Sequence, residues 1–443
     1  MQPATRRCLA RRLTAPRHQR RGLSVSAARP AATPLPPAAP SPSGFARLSE
    51  RKLLSVSGPD AAKFLQGVIT ANLFPQGGDA AAAGGRGAQT QQQPPPLRSD
   101  LGFYAAFLAA QGRVLHDMFV YRDVRDAEAP PGHAWLLEVD AEQADRVRAY
   151  IARYKLRAKV AVRVLDDGEV DIWHAWGGGA DMPASSSDAK SHLLIRDPRA
   201  PPLGHRLLTF PSSALASIPP SNLPFPLPPL TAEVSYRLHR YLTGVPEGQL
   251  ELLRDVALPH ESNMDAQARS DGLGALDFRK GCYTGQELTI RTQHRGVVRK
   301  RVLPCLLYPY GSSPAAGDKQ KKTGDETQLA GLYRPEIGAD VEGDAARVLG
   351  GGEIERLGRP GKAAGKWLRG VGNVGLAVCR LESMTDVALP GEARGRMGFT
   401  GEEEFAVGMV TEGGAVGGKV KVRAFVPGWL RGFLKGQGEG QGH

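Results

Sequence analysis

Cysteine is scarce in this chain: four residues among 443, at positions 8, 282, 305 and 379. Their wide separation excludes a disulfide framework and supplies none of the paired C-x₂₋₄-C spacings of a structural zinc site. Such usage suits a reducing compartment, a matrix or cytosol. No stretch approaches the roughly 18 uninterrupted apolar residues of a membrane span. The N-terminus also lacks the ~7–15-residue apolar segment of a secretory signal. Catalytic signatures are missing too. His260-Glu261 is followed by Ser-Asn-Met, which breaks the H-E-x-x-H zinc pattern. No G-x-S-x-G elbow occurs and no G-x-G-x-x-G follows a strand, so serine hydrolase and dinucleotide readings have no support. Gly361-Lys362-Ala363-Ala364-Gly365-Lys366 has the wrong glycine spacing for a phosphate loop, and Trp367 stands where a metal-binding Ser or Thr belongs.

Acidic residues and lysine are absent from residues 1–49, where nine arginines stand. Most of the net charge of +12 therefore belongs to this segment, which argues against nucleic acid as a partner of the remainder. An acid-free, Arg-rich, Ser/Ala-containing start has the composition of a mitochondrial transit peptide, followed by a Pro-rich linker, over 1–44. Residues 76–100 are of low complexity and are predicted to be a flexible insertion.

Beyond Phe45 the pattern is α+β. Ser57-Gly58-Pro59-Asp60 predicts a capped short helix ending at Gly67. Strands are expected over 103–108, 114–121, 134–139 and 156–165, with a helix after Asp140 carrying Val147, Tyr150, Ile151 and Tyr154 at helical spacing. Residues 175–190 and 211–230 read as breaks, and 233–253 as helical. Alternating runs at 371–379, 405–410 and 419–426 predict a small C-terminal barrel or sandwich.

The segment Lys280-Gly281-Cys282-Tyr283-Thr284-Gly285-Gln286-Glu287 sets a lone thiol between two glycines, beside Arg279 and Lys280. Neighbouring cations and a following helix favour the thiolate, the form that acts as nucleophile and metal ligand. A buried structural cysteine is the competing reading, since free cysteines are among the most buried residue types. Arg291, Arg295 and the 299–301 basics extend a cationic run to 301. Its readings are a solvated face, or an anion site for a carboxylated cofactor tail or an acidic partner. Aromatics are not interleaved through it, which disfavours single-stranded nucleic acid.

KGCYTGQE, continuing as LTIRTQHRGVVRKR, resembles the signature of the YgfZ-type family, relatives of the glycine-cleavage aminomethyltransferase GcvT. Further blocks resemble the family in order: 54–73, 104–122, 154–160, 236–265 and the region around 371–382. With a mitochondrial leader, the resemblance is to the iron–sulfur cluster assembly branch. It implies a GcvT-like folate-binding fold with ferredoxin-like subdomains and a C-terminal β-barrel, around a central opening. The implied body spans 45–300, the barrel 301–432, and a flexible tail 433–443. It further implies a matrix accessory factor for 4Fe–4S proteins such as aconitase and the lipoate-forming radical enzyme, read here as non-enzymatic or weakly enzymatic. The expected partners are an iron–sulfur scaffold or A-type carrier and apo-protein clients.

Three cysteines beyond the leader fall short of the four thiolates that normally hold a cluster, so a transient Fe–S cluster would be shared with a partner. Cys282 is the candidate reactive residue and cluster ligand. Asp117, Lys280, Arg291 and Arg295 are the candidates for holding tetrahydrofolate. The relative's paired acids correspond here to His116-Asp117, so one acid is missing, and no G-E-D-G-Y-E block lies between 160 and 235. Both departures count against the alternative, a folate-dependent aminomethyl or one-carbon transferase.

Overall fold

The computed structural model describes all residues except 1–34, 75–96, 178–181, 211–222, 267–273, 311–322, 336–344, 346–347, 359–360, 390–398, 411–415 and 440–443. The expected leader and most of the 76–100 insertion thus lie outside the described residues. All the elements named below belong to one unit, Pro36–His443.

Strands β1 (Gly44–Arg47) and β2 (Arg51–Ser57) precede helix α1 (Ala61–Val68). Strands β3 (Gly102–Leu108), β4 (Val114–Arg122) and β5 (Ala134–Asp140) lead to α2 (Ala144–Tyr154) and β6 (Ala161–Val164). Then come β7 (Asp171–Trp176), β8 (Ser185–Asp188), β9 (His192–Arg196), β10 (His205–Thr209) and α3 (Glu233–Thr243). Next are helix α4 (Gln286–Arg295), β11 (Lys300–Tyr308), α5 (Glu326–Gly331), β12 (Glu353–Arg356) and β13 (Gly365–Val371). The chain closes with β14 (Val374–Arg380), α6 (Leu381–Met384), β15 (Phe405–Val410), β16 (Val416–Ala424) and α7 (Gly428–Glu439).

The first sheet is antiparallel, in the order β3-β4-β5-β2-β6. One face takes α1 and α2: Val147 and Ile151, at helical spacing, meet Phe64, Leu65 and Val68 over Phe107 and Leu137. Asp140 caps the helical turn before α2 by accepting from the Glu142 N–H at 3.0 Å. Asp60 stands at the cap of α1, but its carboxylate instead accepts from the Lys159 N–H at 2.7 Å, tying α1 to the strand after α2.

The opposite face packs on a second antiparallel sheet, β1-β7-β10-β9-β8, through Tyr104, Phe119 and Leu136 against Ile172, Leu193 and Leu208. This sheet corrects the reading of 175–190 as a break. Its edge strand β8, Ser-Ser-Ser-Asp, is polar and carries no alternation, and β1 joins β7 from far away in sequence. The six C-terminal strands close a barrel in the order β11-β14-β13-β12-β15-β16, so the barrel is found and the sandwich alternative falls.

Helix α3 stops short of the expected 253. Gly244 ends it in the left-handed region at φ +79°, and a side chain there would press Pro304 and Pro427 of the barrel. Val234, Leu238 and Tyr241 of α3 then pack on Val302, Leu306 and Phe425, joining body to barrel. The expected tail from 433 is helical through Glu439, because Leu430 and Leu434, one turn apart, are buried in the barrel core.

Candidate functional site

The Cys282 segment is pinned on both sides and open in the middle. Asp277 accepts from the N–H groups of Arg279 and Lys280, at 2.7 and 2.9 Å. The Lys280 ammonium turns inward and donates to the carbonyls of Ile69 and Ala71, at 2.7 and 2.8 Å, after α1. It lies 4.8 Å from the centre of the Tyr283 ring, and burial pushes its pKa down to about 7 against the opposing pull of Asp277. Lys280 is therefore a tie across the fold rather than a solvent-facing cation beside the thiol. Downstream, the Thr284 N–H donates to the Gly67 carbonyl, and the Tyr283 side chain is buried with its hydroxyl 3.1 Å from Thr289. Between these anchors Gly281 and Cys282 are exposed.

Gly285 makes the turn into α4 at φ +81°, and a Cβ there would sit 2.3 Å from the Ala109 carbonyl oxygen. Alanine at this position combines left-handed strain with a backbone clash. Gly285→Ala should cost about 2 kcal/mol, read by urea denaturation; a change near zero would show that the turn is not constrained.

The other two described cysteines are sealed in the barrel. Cys305 and Cys379 are fully buried with sulfurs 3.6 Å apart, and burial pushes the Cys305 thiol well up. Exposure thus separates Cys282 from both and removes the buried reading of it. Among the described residues no group of three His, Cys, Asp or Glu side chains converges as a metal site.

Asp117 occupies a different place. Its strand β4 sends Asp117, Phe119 and Tyr121 toward the second sheet, while His116 faces the helices and accepts from Arg254. The two side chains leave opposite faces, so they cannot act as a pair on one ligand. The Asp117 carboxylate accepts from Arg51 at 3.3 Å, Tyr104 at 3.2 Å and the Gly248 N–H at 3.1 Å. Burial holds its pKa above the usual range despite Arg51.

Asp117 belongs to a buried ionic network between the sheets. Glu247 Oε2 accepts from Arg199 at 2.7 Å, Arg206 at 2.6 Å and the Tyr236 hydroxyl at 2.8 Å. Arg206 also meets Glu138, which holds Arg51 at 3.0 Å and accepts from Tyr121 at 2.6 Å. Asp197 clasps Arg199, and Glu251 clasps Arg240. Burial disfavours the charged form of Glu247, yet the surrounding arginines outweigh it and hold the carboxyl well below the usual range.

Two cavities lie nearby. One, about 760 Å³, is set among Gly102, Arg196, Asp197, Arg199 and Trp429. The other, about 620 Å³, lies between the 253–262 segment and the barrel. None of Asp117, Lys280 or Arg291 lines either one. Arg291 is exposed on α4, and Arg295 ends that helix. Asp117 and Lys280 are already committed within the protein and share no partner. Asp117 and Lys280 are therefore engaged apart from one another.

Apart from Asp117, the network's arginines and carboxylates escape the sequence reading. Tyr236, Arg240, Glu247 and Glu251 fall inside the 236–265 block, whose resemblance was the one available signal. Arg199 and Arg206 carried none.

Comparison with known proteins agrees with this architecture. Residues 299–432 match the family model "CAF17, C-terminal beta-barrel domain", which covers the closed barrel. The crystal structure of glycine cleavage system aminomethyltransferase T from Bartonella henselae is similar, with a TM-score of 0.51 over 88% of this chain and 86% of that one. At 11% identity this likeness concerns the fold alone. A Chaetomium globosum protein named mitochondrial iron–sulfur cluster assembly factor IBA57 homolog is 52% identical, covering 96% of this chain and 92% of the relative. The Neurospora crassa homolog of the same name is 42% identical, covering 87% of this chain and 81% of the relative. With a GcvT-like α+β body, a CAF17-type barrel and identity of this extent along nearly the whole chain, the protein belongs to the IBA57 family, whose relatives bear the name mitochondrial iron–sulfur cluster assembly factor.

Proposed function

We propose that this chain, imported into the mitochondrial matrix by its N-terminal leader, helps assemble or deliver 4Fe–4S clusters to apo-proteins such as aconitase and lipoate-forming radical enzymes. The observation that carries this reading is the exposure of Cys282 on a loop clamped at Asp277, Lys280 and Thr284. A thiolate there supplies one exchangeable ligand to a cluster that is cargo, not a resident group. The remaining ligands come from a scaffold or A-type carrier. Arg279 and Arg291 stand near the thiol in sequence and suit encounter with an acidic carrier surface, where charge acts on association rate more than on affinity.

Folate has no step in this proposal, because Asp117 and Lys280, two of its candidate residues, are bound up elsewhere in the fold. The transferase alternative has a direct test: incubation with tetrahydrofolate and an aminomethyl donor. Turnover that is lost in Asp117→Asn would favour it over assembly.

The assembly reading is tested by cluster transfer to apo-aconitase. Cys282→Ser should lower activation several-fold, whereas Cys305→Ser should leave it unchanged wherever the barrel remains folded. Equal activation by Cys282→Ser and the unaltered protein removes the thiolate role. Depletion in cells that leaves aconitase activity and protein lipoylation normal removes the assembly role itself.

A further inference from the structure

The cavity of about 620 Å³ between body and barrel takes no part in the Cys282 chemistry. It is of small-molecule size. Its floor is apolar, with Leu253, Leu258, Val302, Leu368 and Val378. Its walls carry Arg113, Lys300, Lys362, Lys366 and Arg380. Three carboxylates also border it, but Glu251 is taken by Arg240 at 2.7 and 3.1 Å, which leaves Glu261 and Glu353 facing five cations.

The two arginines are each anchored by a backbone carbonyl. Arg113 donates to the Val256 carbonyl at 2.6 Å and Arg380 to the Ala363 carbonyl at 2.9 Å. Each guanidinium carries five N–H donors, so most of its donor capacity is left for a ligand. Lys300 stands 3.9 Å from Glu261, and the charges of Arg113, Arg301 and Arg380 also act on that carboxylate. Lys362 precedes β13 and Lys366 lies at its start, and both are exposed. Gly361, next to Lys362, is exposed, with open space where a side chain would stand. The phosphate-loop spacing rejected in the sequence thus sits on a cationic wall by another geometry.

We propose that this cleft binds a small organic phosphate of about mononucleotide size, with its phosphates against Arg113, Arg380 and the two lysines and its apolar or flat body on the Leu258–Val302–Leu368 floor. Three uncompensated cations call for more charge than one carboxylate carries, and phosphate matches the forked geometry of arginine. Concavity and the apolar floor favour a small molecule over an acidic protein segment, which needs an open surface.

Calorimetric titration of the full-length protein with ADP tests this. Saturable binding is expected, tighter for ADP than for inorganic pyrophosphate because the floor contributes. The variant Lys362→Glu with Lys366→Gln should weaken ADP binding about ten-fold or more, with thermal unfolding unchanged. Lys190→Gln, on the far sheet, should leave binding as it is. Absence of saturable ADP binding overturns the proposal, as does binding indifferent to the double substitution. Pyrophosphate binding as tightly as ADP rejects the apolar floor as a subsite. Tighter binding of a glutamate decapeptide, or of 5-formyltetrahydrofolate, assigns the cleft to an acidic partner or to folate instead.

Discussion

Glu247→Ala is expected to destabilise the folded protein by about 3–5 kcal/mol, the range for breaking a buried ion pair from one side. The substitution removes the oxygen that accepts from Arg199, Arg206 and the Tyr236 hydroxyl. Arg206 keeps Glu138 and Arg199 keeps Asp197, but each arginine loses an acceptor and a counter-charge that it shared only with the other network members. Both guanidiniums are fully buried, stacked near the Phe119 ring at 4.5 and 4.8 Å, beyond the reach of bulk solvent. The intact network is not thereby a large net source of stability, because ionising these groups in the interior carries its own desolvation cost. The loss comes from orphaning one side. Glu247→Ala with Arg206→Met should accordingly cost less than the sum of the single changes. The exposed Arg163–Glu169 pair provides the contrast: Glu169→Ala should cost about 0–1 kcal/mol. Denaturation midpoints at fixed slope measure all four. A loss below about 1 kcal/mol for Glu247→Ala would mean that the arginines find other partners.

How much of this was legible in the sequence depends on where the information lies. The first sheet was readable because β3, β4 and β5 are long and apolar and α2 has regular spacing. The barrel was readable from runs such as Lys419-Val420-Lys421-Val422, which alternate in and out. The second sheet was not, since its short strands owe their state to pairing with partners such as β1, over a hundred residues away. For the site, the motif singled out Cys282 but left two readings open, and exposure decided between them. The neighbour effect assigned to Lys280 failed for a physical reason: a lysine beside a glycine turn can reach either way, and here two backbone carbonyls claim it. Asp117 stands in the sequence reading as a candidate folate contact. Its partners Arg51, Tyr104 and Gly248 come from three other segments, so its commitment could not be read locally.

Acidification from pH 7 to pH 5 should destabilise the protein, by about 2 kcal/mol through His116 and further, in the same direction, through His174. His174 is fully buried, donates through Nε2 to the Leu203 carbonyl at 2.8 Å and turns Nδ1 toward Arg206 at 3.3 Å. Burial, then Arg206, hold its pKa well below the ordinary value. His116 faces Arg254 and Arg146 from the helix side of the first sheet, and burial with these cations lowers its pKa to about 3. The unfolded chain protonates both histidines near ~6.5, while the folded chain does not. More protons bound to the unfolded state means that stability rises with pH, so it is lost as pH falls below that value. For His116 the loss continues down to about 3. Glu247 and Asp197, both depressed, add a loss below the ordinary carboxylate range as they protonate. Asp117 and Glu261, both raised, act in the opposite sense and offset part of it. His116→Gln keeps an acceptor for Arg254 and removes the titration, so it should flatten the stability profile between pH 7 and 5 by about 2 kcal/mol. A profile already flat in the unaltered protein, or equally steep in His116→Gln, would place the proton uptake elsewhere. The same slope bears on function, since the Lys280 tie that shapes the Cys282 loop rests on the carbonyls of the α1 side of this same sheet. Opening of that face, in which His116 takes up a proton, should therefore be more frequent at pH 5 and reduce cluster transfer in the unaltered protein more than in His116→Gln.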